Sequence, residues 1–307
     1  MTGTALRTEA GVLRAPWRLA VFGAAVVASS IVIGVIGFSL ASLTSVSAMS
    51  RAARLPLDQL LSAISIVVAT WATGRMVAGE DFAIWRYVGV GAGHWSPRVI
   101  SLATGAGAAT IALPALVLVG IGAAQFDPSV STDSAWAVAW AAFALMMPAA
   151  IVEELLFRGY AFTVCVEAIG SRGAIVVTSV LFALAHVFNP DPTVASVTAV
   201  ACAGVFLAVV RVTTGSLVAA VAAHFWINYT QAVALHAPVS GLALQMPGYR
   251  FVEAGPDWLT GGAWGPEAGA GAVLTFAVAS FLYLRRFTKR SNSTSAANSG
   301  VTPPPTP

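Results

Sequence analysis

The sequence predicts an all-α, polytopic membrane protein of about eight transmembrane helices enclosing a buried polar cavity. Three observations predict it. Of the 307 residues, 57% are hydrophobic and only 9% charged, whereas a soluble domain carries roughly 25% charged residues. Mean hydropathy is +0.81. The apolar runs are continuous rather than alternating, which selects helices over barrel strands as the way to satisfy the backbone in lipid.

The first run, Leu19–Leu43, follows Arg7, Arg14 and Arg18. A signal peptide is the rival reading, with Val46-Ser-Ala48 as its cleavage site, but the run exceeds the ~7–15 residues of such a segment, so it reads as a retained span. Spans near the ~20 residues that cross a bilayer follow at Leu57–Thr73, Val99–Ala124 and Ser134–Phe157. Ala174–Val187, Val194–Val210, Leu217–Leu235 and Ala268–Leu284 complete the set. Residues 1–18 form a tail, 19–288 the membrane domain, and the Ser/Asn/Thr/Pro-rich 289–307 a disordered tail.

Charge orients the chain. Arg75, Arg86 and Arg98 follow the second span, Arg172 the fourth, Arg211 the sixth, and Arg285, Arg286, Lys289 and Arg290 the eighth. All fall on one side if both termini are cytoplasmic; Arg51 and Arg54 break the pattern. The loop from His236 to Glu267, with Trp258 and Trp264, belongs to the other side near the interface. A net charge of +3, held in short flanks, suits membrane orientation and not nucleic acid. Cys165 and Cys202 have no metal-like or redox spacing and read as packing residues.

A few ionisable residues break the apolar runs, and ionisable groups at membrane depth mark cavities, ion paths or catalytic sites. In Ile151-Val-Glu-Glu-Leu-Leu-Phe-Arg-Gly-Tyr160, Glu154 and Arg158 have the spacing of an intrahelical ion pair. Glu153 points about 100° away and is left for other work, a desolvated carboxylate suited to general acid–base chemistry. The plainer reading is a structural polar knot. Phe182 and His186 share one helix face, so ring and imidazole can pack together; a lone histidine there is as readily a core residue. His224 and Asn228 share another face and can donate to an oxyanion, bind a metal or its water, or join two helices by hydrogen bonds.

Taken together, Glu-Glu-x-x-x-Arg (Glu153, Glu154, Arg158), Phe-x-x-x-His (Phe182, His186) and His-x-x-x-Asn (His224, Asn228) resemble the CPBP family of intramembrane proteases. That family includes the CAAX prenyl endopeptidases and the bacteriocin-immunity-like proteins. The resemblance runs from about Pro148 to Tyr229. It implies an eight-helix membrane protease with its cavity open to the cytoplasmic side. It further implies that Glu153 and His186 activate water, that His224 and Asn228 form an oxyanion hole, and that Glu154, Arg158 and Phe182 support them.

The family has also been described as metalloproteases. Zinc is possible, on Glu153, His186 and His224, but there is no His-Glu-x-x-His run, and glutamate/histidine activation of water requires no cofactor. The expected partners are membrane lipid and a membrane-associated peptide or protein, and the Ala/Gly/Val-rich composition suggests a bacterial cell membrane. Two other readings are a non-catalytic scaffold or bacteriocin-immunity-type protein, and a proton-coupled transporter. Against the transporter, no internal repeat is visible.

Overall fold

The computed structural model describes residues 6–8, 13–44, 46, 49–78, 83–129, 131 and 133–298. The rest, including Ser47 and Ala48 of the considered cleavage site and residues 299–307 of the expected tail, lie outside the described residues.

Two long helices, α1 (Ala15–Ser42) and α2 (Arg51–Ala78), open the fold. Pro16 stands in the first turn of α1, where its missing N–H costs nothing. The Ser29 hydroxyl donates to Ser65 O at 2.9 Å and ties the two helices. Val27, Ile31, Val35 and Phe38 of α1 remain exposed, as a lipid-facing surface requires. A short α3 (Ile84–Tyr87) leads to α4 (Pro97–Gly120).

Next come β1 (Ala124–Pro128), α5 (Ala135–Glu154), a π-helical turn over Leu155–Gly159, and α6 (Tyr160–Ala185). The stretch Ala135–Phe188 holds 54 residues of continuous helical character. Straight, it would measure about 80 Å, more than twice a bilayer core. It is broken at the wide turn and again at Gly170, whose φ of 72° and ψ of 169° are open to glycine alone. The two expected spans 134–157 and 174–187 both lie within this stretch.

α7 (Val194–Thr214) begins with a reciprocal cap: Thr193 Oγ1 accepts from Ser196 N–H at 3.0 Å, and Ser196 Oγ accepts from Thr193 N–H at 2.9 Å. It ends at Gly215, left-handed at φ 68°, and Ser216 at once caps α8 (Leu217–Tyr229), so the two helices form a tight hairpin. A second π-helical turn, Thr230–Ala234, extends α8. β2 (Tyr249–Glu253), a short α9 (Asp257–Thr260) and α10 (Ala270–Asn298) complete the chain. The loop expected at 236–267 thus contains a strand. β2 pairs antiparallel with β1, from Ala124 opposite Glu253 to Pro128 opposite Tyr249. α10 runs past the boundary expected at 288.

Among the described residues, five stretches are long and apolar enough to cross a membrane: Ala15–Ser42, Arg54–Val77, Pro97–Gly120, Ala135–Phe188 and Val194–Thr214. The main core lies among α4, α7, α8 and α10, around Ile111, Phe206, Ile227 and Phe276. A second core joins α1 and α2 to the first π turn through Phe22, Ile66, Leu155 and Tyr160.

Gly107 lets α4 lie directly on α8: a Cβ there would sit 2.2 Å from Ala223 O, one residue before His224. At Gly105 an added Cβ meets nothing within 4 Å. Gly107→Ala is therefore expected to lower stability by about 1–3 kcal/mol. Gly105→Ala should leave it equal or raise it by up to about 1 kcal/mol. Thermal denaturation in detergent checks both, and equal midpoints would deny the close approach.

Candidate active site

Glu153 and Glu154 end α5, and the π turn that follows carries Arg158. Such a turn widens the helix by one residue, a distortion common at functional sites. Glu154 and Arg158 are fully buried. Arg158 Nη1 donates to Glu154 Oε1 at 2.9 Å and Nη2 donates to Gly204 O on α7 at 3.0 Å. The guanidinium also lies over the Phe182 ring, 4.3 Å from its centroid. Gly204 makes this fit, since a Cβ there would lie 3.1 Å from Ser179 Cα and 3.4 Å from Arg158 Nη2.

Glu154 has a further partner that helix spacing does not show. Its Oε1 accepts from His224 Nδ1–H at 2.9 Å, across from α8. This bond fixes the imidazole and turns Nε2 away from the carboxylate. His186, in the turn that ends α6, donates from Nδ1 to Phe182 O at 2.8 Å, which likewise leaves Nε2 facing the site.

The two Nε2 atoms converge on one acceptor. Glu153 Oε2 lies 3.8 Å from His186 Nε2 and 3.8 Å from His224 Nε2, and makes no direct hydrogen bond. Glu153 keeps 31% of its side chain exposed, against 0% for Glu154, so the two carboxylates have opposite environments. Phe182 packs on both imidazoles, with centroids 4.6 Å from His186 and 5.8 Å from His224. Asn228 stands one turn beyond His224, half-buried, and takes part in no hydrogen bond among the described residues.

Glu153, His186 and His224 are the donor types a zinc ion would take. Their 3.8 Å separations exceed the ~3.4 Å edge of a tetrahedral zinc site. Among the described residues, no group of three or more His, Cys, Asp or Glu is placed to hold a metal ion. The residues as they stand therefore do not fit the ion.

Supporting residues not singled out from the sequence frame this centre. Arg211 donates from Nε to Arg158 O at 3.2 Å and from Nη1 to Gly215 O at 2.9 Å, locking the π turn to the α7–α8 hairpin. Gln231, fully buried, donates to Trp264 O at 3.2 Å and to Pro238 O, and accepts from Glu267 N–H at 3.0 Å. Trp264 Nε1 in turn donates to Pro190 O and Asp191 O, both at 2.9 Å, which pins the turn after His186. Glu267 is buried, with Oε1 accepting from Ser240 N–H at 2.6 Å and Oγ–H at 2.8 Å. Burial raises its pKa from 4.5 to about 7, against the pull of the Ser240 bonds. The only sequence signal for Glu267 is an acid inside a Gly/Pro/Trp segment whose one other charged residue is Asp257.

Two predictions follow from this geometry. Arg158→Ala removes the guanidinium that pairs with Glu154 and leaves that buried carboxylate with His224 alone, and should cost roughly 3–5 kcal/mol, measured as a lowered thermal midpoint. Glu267 keeps its proton to about pH 7 when folded but loses it near 4.5 when unfolded. The contribution of Glu267 to stability should thus be full below pH 4.5 and be lost as pH rises to about 7, by on the order of 3 kcal/mol. Glu267→Gln should flatten that decline, and an unchanged pH profile in the variant would refute the assignment.

Residues 135–230, which hold all three polar motifs, match the family model described as type II CAAX prenyl endopeptidase Rce1-like. No curated protein and no solved structure matches the chain. The helices that gather Glu153, His186 and His224 are thus the helices of the region that matches the Rce1-like family of type II CAAX prenyl endopeptidases.

Proposed function

We propose that this protein is an intramembrane endopeptidase that hydrolyses a peptide bond in a membrane-associated peptide or protein. The observation that carries the reading is the placement of Glu153 Oε2 at 3.8 Å from two imidazole nitrogens whose opposite edges are tied down. A water molecule held by Glu153 and His186 attacks the scissile carbonyl carbon as Glu153 takes its proton. The carbonyl oxygen becomes an oxyanion and accepts from His224 Nε2–H and Asn228 Nδ2–H. Collapse breaks the C–N bond, and the leaving amine receives the proton from Glu153.

To donate through Nε2 while Nδ1 donates to Glu154, His224 must carry both protons. Glu154, 2.9 Å from Nδ1, is the counter-charge that makes this possible in an apolar setting. This gives the second glutamate a direct reason to be there. Every step uses protein groups alone.

The membrane domain crosses in eight passes. The Ala135–Phe188 stretch supplies two, on either side of its breaks, and α8 with its π extension and α10 join the remaining four stretches. Both termini are cytoplasmic by the arginine distribution.

The test compares membranes carrying wild type with membranes carrying Glu153→Gln or His186→Ala, reading newly formed peptide termini by mass spectrometry. Termini present with wild type should fall by roughly 10²–10⁴-fold with either variant, at unchanged protein level. Identical termini in all three would sink the protease reading. A zinc chelator should leave cleavage intact; loss restored by added zinc would make Glu153, His186 and His224 ligands instead.

A further inference from the structure

A cavity of about 410 Å³ lies between the start of α4, the end of α7 and the distal part of α10. Neither Glu153 nor either histidine of the site lines it, and no carboxylate does. Arg98 and Arg286 stand on its rim, exposed, and neither forms an ion pair or hydrogen bond with another described residue. Tyr283, on the wall, carries a buried hydroxyl with no hydrogen-bond partner. The remaining wall is largely apolar: Leu102 and Leu282 are exposed along it, and Gly105 leaves its floor open, with nothing within 4 Å of where a Cβ would be.

We propose that this cavity binds an anionic phospholipid. Two guanidinium groups, both donors, match the oxygens of a phosphodiester. They sit where α4 begins at Pro97 and where the apolar run of α10 gives way to Arg285 and Arg286, the depth of a lipid headgroup. Basic pockets between membrane helices are the usual seats of anionic headgroups. The apolar floor specifies lipid over free phosphate: with the phosphate between Arg98 and Arg286, an acyl chain lies along Leu102, Gly105 and Leu282.

Native mass spectrometry of the full chain, delipidated in neutral detergent, tests this. Wild type should retain phosphatidylglycerol about tenfold or more better than phosphatidylcholine. The double variant Arg98→Gln/Arg286→Gln should lose that preference. Gly105→Phe, which keeps both charges and fills the floor, should weaken phosphatidylglycerol binding to a similar degree, with thermal midpoints confirming that both variants fold. Undiminished binding in the double variant would overturn the site. So would undiminished binding in Gly105→Phe, which would reduce the effect to surface charge. Displacement of phosphatidylglycerol by an equal concentration of inorganic phosphate would assign the cavity to a free anion and overturn the lipid.

Discussion

A fully buried carboxylate–guanidinium pair, Glu154 with Arg158, is the constraint around which the helices are arranged. Two charges in an apolar interior are tolerable only when their remaining hydrogen-bonding groups are also engaged. Here that requirement reaches across three helices and is met in part, since Glu154 Oε2 and Arg158 Nε are buried without a hydrogen-bond partner among the described residues. Arg158 takes Gly204 O from α7 and the face of Phe182 from α6, while Glu154 takes His224 from α8. Satisfying one ion pair therefore fixes the relative positions of α5, α6, α7 and α8. Small residues at Gly107 and Gly204 permit the approach, and Arg211 secures the π turn from behind.

The same constraint separates the roles of two adjacent glutamates. Successive residues on a helix point about 100° apart, so when Glu154 is drawn into the core Glu153 must face elsewhere. It faces the two Nε2 atoms and retains access to solvent. Each imidazole is held through Nδ1 by a different acceptor, a backbone carbonyl for His186 and a carboxylate for His224. One histidine is thus bound to a neutral group and the other to an anion, an asymmetry that supports distinct tasks in one reaction.

Much of this could be read from the sequence, for a physical reason. Ionisable residues are so costly in apolar runs that Glu153, Glu154, Arg158, His186 and His224 stand out singly, and the spacing of Glu154 and Arg158 gives their contact directly. Contacts between distant segments could not be read this way. The Glu154–His224 bond joins residues on different helices, and Gln231, Arg211 and Glu267 are explained only by the backbone groups they meet. The π turn is equally silent, because Leu155–Gly159 has an ordinary helical composition apart from its last residue. Tyr249–Glu253 holds strand-forming Tyr249, Phe251 and Val252, but its partner, Ala124–Pro128, has little strand character and lies far away in the chain.

That strand pairing carries a topological consequence. Because β1 and β2 are hydrogen-bonded neighbours, both must lie on the same face of the bilayer. The chain between Pro128 and Tyr249 leaves that face and returns to it, so its number of crossings is even. In the eight-pass arrangement proposed above α7 and α8 cross once each, and the helical stretch from Ala135 to Phe188 then contributes an even number as well. The break at Gly170 is then where this stretch reverses, and the sheet acts as a parity lock on the chain between Pro128 and Tyr249, which carries Glu153, His186 and His224.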